Sequence, residues 1–241
     1  MKRSIYKRFK RIKVVIWILL TTFVSLQSCD KFLQEKSDYS FTTPEKLSDL
    51  RAALDNESVI NQNFPGLMEV GTDDYYVVDE QLGIAAPYLQ SVYLWSDDIE
   101  ATELASWNTP YESIMVANVV LENIDRVSGN DPILYREILG EAHFVRGLYY
   151  FYLTQMFCLP YEPAAAENML GIPLKYSSDI TEQITRSNLQ QTYQQIISDL
   201  EIAASNLPEG SGYKTRASKA AAYAALSRVY LSMANFDAAE P

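Results

Sequence analysis

The sequence predicts a mostly α-helical protein of helical hairpins interrupted by one long irregular loop excursion. Three observations carry that expectation. Apolar residues recur at three- and four-residue spacing in five separate segments. Each segment opens on a Ser, Thr or Asp, the residue types that cap a helix N-terminus. Gly and Pro, only 9 and 10 of the 241 residues, fall chiefly between these segments.

The first segment begins at Thr42-Thr43-Pro44-Glu45, with a Thr as cap and Pro in the first turn, and Leu47, Leu50 and Leu54 form its stripe to about Asn56. From Asn61 to Trp95 the breakers Pro65-Gly66, Gly71, Gly83 and Pro87 leave no helical period. This is the irregular excursion; its Tyr75, Tyr76, Tyr88, Tyr93 and Trp95 favour order over disorder. Thr109-Pro110-Tyr111-Glu112 reads as a capping box, and Tyr111, Ile114, Leu121 and Ile124 face one side of a helix ending near Val127. Asp131-Pro132 starts a long helix with Leu134, Ile138, Val145, Tyr149, Tyr152 and Met156 on one stripe, stopped by Pro160. Gly171-Ile172-Pro173-Leu174 is a short extended piece. Ser187 caps a fourth helix carrying Leu189, Tyr193, Ile196, Leu200 and Ala204, and Leu207-Pro208 ends it. Ser218 to Ala234 forms an Ala-rich fifth. Tyr111, Tyr149, Tyr152, Tyr193 and Tyr230 are expected in the core.

Leu226, Ser227 and Tyr230, then Ala234-Asn235-Phe236 and Ala239, have the spacing of a tetratricopeptide helix, its turn and the start of its second helix. A repeat helix without its partner leaves an apolar stripe uncovered, so the chain is expected to be incomplete at its C-terminus.

The chain's formal net charge is −11, unevenly distributed. Lys2, Arg3, Lys7, Arg8, Lys10, Arg11 and Lys13 are 7 of the 20 basic residues, and no acid precedes Asp30. Without that leader, 13 bases face 31 acids, a net of −18. Such a chain repels phosphate, so nucleic acid is excluded as a partner. The basic segment, an apolar run from Val14 to Val24 and a small-residue segment ending at Cys29 follow the order of a secretory signal. The apolar run is shorter than the roughly 20 residues of a membrane span. Leu26-Gln27-Ser28-Cys29 has the pattern of a lipobox, in which the thiol of Cys29 is acylated and becomes the new N-terminus. Residues 1–28 are then a lipoprotein signal peptide and 29–241 the mature domain. Cys158, between Phe157 and Leu159, reads as a buried apolar thiol with no base beside it.

Catalysis would need a nucleophile and base, or two convergent carboxylates. Asp73-Asp74, Asp97-Asp98 and Glu100 supply acids in an aromatic-rich region, but their separation is not fixed by the sequence. His143 is the only histidine, and Asp73, Asp74 and Asp79 lack a calcium-loop pattern, so no metal or cofactor is expected. Glu141 and Arg146, near one helical turn apart, are expected to be structural, in an ion pair or a carbonyl contact. The aromatics carry the better hypothesis: Tyr and Trp rings stack on the C–H faces of sugars while Asp side chains bond hydroxyls. Gly71 to Tyr76 and Tyr93 to Asp98 offer both, with Asp73, Asp74, Tyr75, Tyr76, Tyr93, Trp95 and Asp98 as ligand-binding candidates.

Together these stretches resemble the SusD/RagB family of outer-membrane nutrient-uptake lipoproteins. The resemblance rests on Ser28-Cys29-Asp30-Lys31-Phe32-Leu33, on Trp107 with Tyr111 to Ile114 and Leu121 to Asp125, and on Gly140 to Phe151. It continues through Gly171 to Leu174, Thr185-Arg186-Ser187, Tyr193 to Glu201, Arg216 to Tyr223 and Leu226 to Leu231. It implies tetratricopeptide-like helix pairs in an N-terminal part of the family's domain. It also implies a lipid-anchored surface protein that captures glycans or other nutrients over a SusC-like TonB-dependent transporter, without catalysis. The alternatives are a tetratricopeptide scaffold for a protein partner and a surface glycosidase.

Overall fold

The polypeptide alternates helices with tightly held loops in a computed structural model that describes residues 44–96 and 105–240, all within the unit Pro44–Pro241. The leader, Cys29, Thr42, Thr43, Asp97, Asp98 and Glu100 lie outside the described residues. Helix α1, Leu47–Leu54, buries Leu47, Leu50 and Leu54 at the predicted spacing. It starts later than predicted because tertiary pairing claims the residues before it: Ser128 N–H donates to Glu45 O (2.8 Å), and Lys46 bridges Ser128. The Asp49 carboxylate instead accepts the N–H groups of Glu45 and Lys46 (3.0 Å each), which holds its pKa below the ordinary value. A one-turn helix, α2 (Glu57–Ile60), follows.

The excursion is not irregular throughout. It contains α3 (Leu67–Val70), α4 (Asp79–Ile84) and α5 (Pro87–Tyr93). The breakers cut these helices to at most seven residues, too few for a period to be read.

Helix α6 spans Ala105–Asn123 and contains Pro110, which was expected in its first turn. Packing overrides the local signal, for Trp107 meets Phe157 edge-on (4.7 Å, 82°) and Tyr111 at 5.5 Å. Helix α7, Pro132–Phe157, begins as predicted, with Asp131 Oδ1 accepting the N–H groups of Ile133 and Leu134 (3.0 Å each). At 1.5 Å rise per residue it is about 39 Å long. It is the central helix, with α6 and α8 along its sides and α1, β1 and α9 also against it.

The extended piece at 171 is strand β1 (Leu170–Pro173), and it pairs antiparallel with β2 (Arg186–Asn188). Gly171 is required there, since a Cβ would lie 2.6 Å from Asn188 O. Helix α8, Leu189–Asn206, is capped by Asn188 rather than Ser187: Asn188 Oδ1 accepts Gln191 N–H (2.8 Å) and Gln191 Oε1 accepts Asn188 N–H (3.3 Å). Ser187 Oγ bonds Ile172 O instead (2.8 Å), tying the strands together. Gly147 lets α7 approach α8, because a Cβ there would sit 3.0 Å from Asp199 Cβ. Helix α9, Lys219–Ser232, is capped by Ser218 and followed by α10, Phe236–Ala239.

The core is continuous, with Ile114 and Val120 of α6, Ile138 and Tyr150 of α7, Ile196 and Leu200 of α8, and Val229 of α9 inaccessible to solvent. Of the stripe tyrosines, Tyr149 and Tyr193 are buried, whereas Tyr111, Tyr152 and Tyr230 are half-buried at its edge.

Candidate functional site

The segment from Gly71 to Ser96 folds by tying its tyrosine ends to backbone. Tyr75 Oη donates to Val70 O (2.9 Å), and Tyr93 Oη accepts Val77 N–H (3.0 Å). These bonds bring the Tyr75 and Tyr93 rings to 5.9 Å between centroids at 44°. Gln90 Nε2 braces the turn before α5 through Ala85 O (2.7 Å).

Trp95 follows at the end of α5, where Ser96 N–H reaches Ser91 O (2.9 Å) and Trp95 N–H reaches Val92 O (3.1 Å). This double pattern closes a helix through one left-handed residue, normally glycine. Here that residue is Trp95, at φ 52. A left-handed conformation costs a side-chain-bearing residue roughly 1–2 kcal/mol. The Trp95 ring stands out in water, 75% exposed.

The structure thus brings Tyr75, Tyr93 and Trp95 onto one small segment. Tyr76 is also on it, 76% exposed. Asp73 and Asp74 are exposed on the turn before the tyrosines, with no ion pair to either among the described residues. Asp98 lies outside the described residues. Exposed aromatic rings beside carboxylates are the side-chain types that stack on a sugar and bond its hydroxyls.

The long helices carry buried polar clusters whose partners differ from those the sequence suggests. Glu141 and Arg146 do not meet: five residues on a helix turn a side chain about 140° away. Glu141 pairs instead with Arg51 of α1 (2.6 Å), and burial pushes its carboxyl up despite that partner. Arg146 forms a fork on Asp199 of α8, Nε to Oδ2 at 2.9 Å and Nη2 to Oδ1 at 2.7 Å, and donates to Asn118 Oδ1 (3.1 Å). His143 Nδ1 lies 2.7 Å from Asp199 Oδ1. Burial raises the Asp199 carboxyl, but the hydrogen bonds from His143 and Arg146 and the guanidinium charge outweigh it, leaving its pKa below the ordinary value.

Cys158 is half-buried, with Arg186 Nη2 3.8 Å from its Sγ, and burial pushes the thiol up. Among the described residues no group of three or more His, Cys, Asp or Glu could hold a metal ion, and no helix is long and apolar enough to cross a membrane.

The fold is that of a mostly helical protein whose long helices pack on α7 and whose short-helix segment carries exposed aromatics. Comparison with known proteins is more specific. Residues 31–231 match the SusD-like family described as starch-binding and associating with the outer membrane. The chain belongs to this SusD-like family.

It is 25% identical over 241 residues to SusD-like protein P2 of Formosa agariphila, covering 95% of this chain and 45% of that protein. A SusD superfamily crystal structure from Bacteroides thetaiotaomicron is 29% identical, with TM-score 0.63 over 80% of this chain and 44% of the other. A laminarin-binding SusD-like protein shares the fold at TM-score 0.60 and 20% identity, covering 78% of this chain and 40% of that one. The chain spans a little under half the length of these relatives.

Proposed function

We propose that this chain serves as a cell-surface glycan-binding lipoprotein that captures oligosaccharide and passes it to a SusC-like TonB-dependent outer-membrane transporter. The observation that carries the binding reading is the aromatic segment of Tyr75, Tyr76, Tyr93 and Trp95, in which hydroxyl bonds fix Tyr75 and Tyr93 while Tyr75, Tyr76 and Trp95 stand open to water. Membership of a family described as starch-binding and outer-membrane-associated supports it, as does the laminarin-binding relative. Sugar rings stack on Tyr75, Tyr76 and Trp95, Asp73, Asp74 and Asp98 take hydroxyl bonds, and no bond in the glycan is broken. Residues 1–28 direct export, and acylated Cys29 begins the anchored domain of 29–241.

Affinity electrophoresis of the chain from residue 30 onward across gels of starch, laminarin and other neutral polysaccharides tests this reading. Retardation in at least one gel is expected, and Trp95→Gly, whose backbone suits the left-handed position, abolishes it. Retardation by no polysaccharide, or release of reducing sugar, would overturn it. The anchor is tested separately by labelling cells with an alkyne fatty acid; label that persists in Cys29→Ala refutes acylation there. Affinity purification of the intact chain from solubilised outer membrane is expected to recover a TonB-dependent barrel, and its absence refutes the transporter role.

A further inference from the structure

A cleft lined by no residue of the excursion lies between the segment after β1, strand β2 and the exposed face of α8. Its volume is about 540 Å³, and Tyr176, Thr185, Arg186, Gln191, Gln194 and Gln195 line it. Its chemistry departs from that of the chain around it. The protein carries 31 acidic residues, yet none lines this cleft. Arg186 enters no ion pair among the described residues; Nε donates to Gly171 O (2.5 Å) and Nη2 to Phe157 O (3.2 Å). Its charge therefore meets carbonyl dipoles rather than a counter-ion.

The cleft is also built. Lys175 and Tyr176 are held on the core: Tyr150 Oη donates to Lys175 O (2.5 Å) and accepts Lys175 N–H (2.9 Å), while Asn118 Nδ2 donates to Lys175 O (2.8 Å). Glu122 takes Ser178 N–H (2.8 Å) just beyond. The Tyr176 ring lies on the buried Arg146 guanidinium, 5.7 Å from its centroid, and Tyr176 Oη donates to Gln195 Oε1 (3.1 Å). Half of Tyr176 remains exposed. Gln191, Gln194 and Gln195, one turn apart on α8, present amides along the same wall.

We propose that this cleft is a separate binding site for an acidic saccharide unit, whose carboxylate or sulfate is held by Arg186 while its ring stacks on Tyr176 and its hydroxyls bond the three glutamines. An aromatic platform with amides suits a sugar ring; an arginine without a counter-ion selects an anionic one, through charge-assisted bonds stronger than neutral ones. The site goes beyond the excursion reading and does not depend on it.

Isothermal titration of the chain from residue 30 onward with uronate trisaccharides, a sulfated carrageenan tetrasaccharide and neutral maltotriose decides the matter. At least one acidic probe is expected to bind roughly tenfold or more tighter than maltotriose, an advantage that shrinks with added salt. Tightest binding by a uronate assigns the carboxylate; tightest binding by carrageenan assigns the sulfate. Arg186→Gln and Gln194→Ala, the latter a fully surface change, each weaken it, whereas Trp95→Gly leaves it unchanged. The proposal is overturned if no acidic probe outbinds maltotriose, if the advantage survives Arg186→Gln with native circular dichroism, or if Trp95→Gly removes it.

Discussion

Asp199→Asn tests whether the junction of α7 and α8 rests on its buried charge cluster. Asp199 is 1% exposed at its side chain and anchors Nε and Nη2 of Arg146 as well as His143. The amide keeps the shape but removes the charge, leaving a guanidinium that is itself only 9% exposed facing an NH₂ donor. Breaking such a pair from one side costs about 3–5 kcal/mol, because an uncompensated charge stays buried. Against a total stability of about 5–15 kcal/mol this is a large share. With a urea dependence of about 2 kcal/mol per molar, the unfolding midpoint falls by about 1.5 M or more. Circular dichroism across a urea series measures it. The pH dependence gives a second readout: since the native pKa of Asp199 is depressed, its contribution is complete above its unfolded value of about 4 and fades as pH falls through the native value. The gap between wild type and variant therefore narrows on acidification. A loss below about 1 kcal/mol at neutral pH, against the 3–5 expected of a broken buried pair, would refute the reasoning, as would a gap that stays constant to about pH 3.

Two further outcomes concern backbone and order. Ala234 closes α9 at φ 55, with Asn235 N–H on Tyr230 O (2.9 Å), so Ala234→Gly relieves left-handed strain. The expected gain is about 1 kcal/mol, seen as a rise of about 2–4 °C in Tm, and a lower Tm would contradict it. Helices α3, α4 and α5 contain no buried residue, whereas α7 contains twelve. Amide exchange is accordingly expected to be faster across residues 67–94 than across 138–153 by orders of magnitude, and equal protection would contradict that.

Much of this architecture was legible because its long helices bury regular stripes. Ile138, Val145 and Tyr149 on α7, and Leu189, Ile196 and Leu200 on α8, are where their spacing places them, and Asp131 and Ser218 cap as read. What escaped was non-local. No sequence pattern shows that Arg146 turns to Asp199, 53 residues away, or that Glu141 turns to Arg51, 90 away. The helix starts at Lys46 and Ala105 were misjudged for the same reason, since a bridge to Ser128 and a ring contact to Phe157 overrode local capping. Of the candidate site, the residue types were visible but their geometry was not. Trp95 in a glycine's place was hidden because no Gly marks the end of α5. The glutamines at 190, 191, 194 and 195 were a visible signal, one face of a helix rich in amides, but their partner Arg186 belongs to a strand whose pairing could not be read.

The two aromatic surfaces differ in what holds them, and that difference has consequences for binding. Tyr75 lies in the loop before α4, Tyr93 ends α5 and Trp95 follows it, all on a segment secured by a few hydroxyl bonds, so in the proposed site their rings can adjust to a chain of sugars at little cost to the core. Tyr176 sits on Arg146, and Arg146 on Asp199, so its ring is oriented by the same cluster that joins α7 to α8. Ordering a ligand there costs less conformational entropy but tolerates less variation in its shape. An adaptable surface suits polymers of varied linkage, and a fixed cleft suits one recurring charged unit. The Asp199→Asn variant separates the two: it disturbs the support of Tyr176 and leaves every bond of the excursion in place.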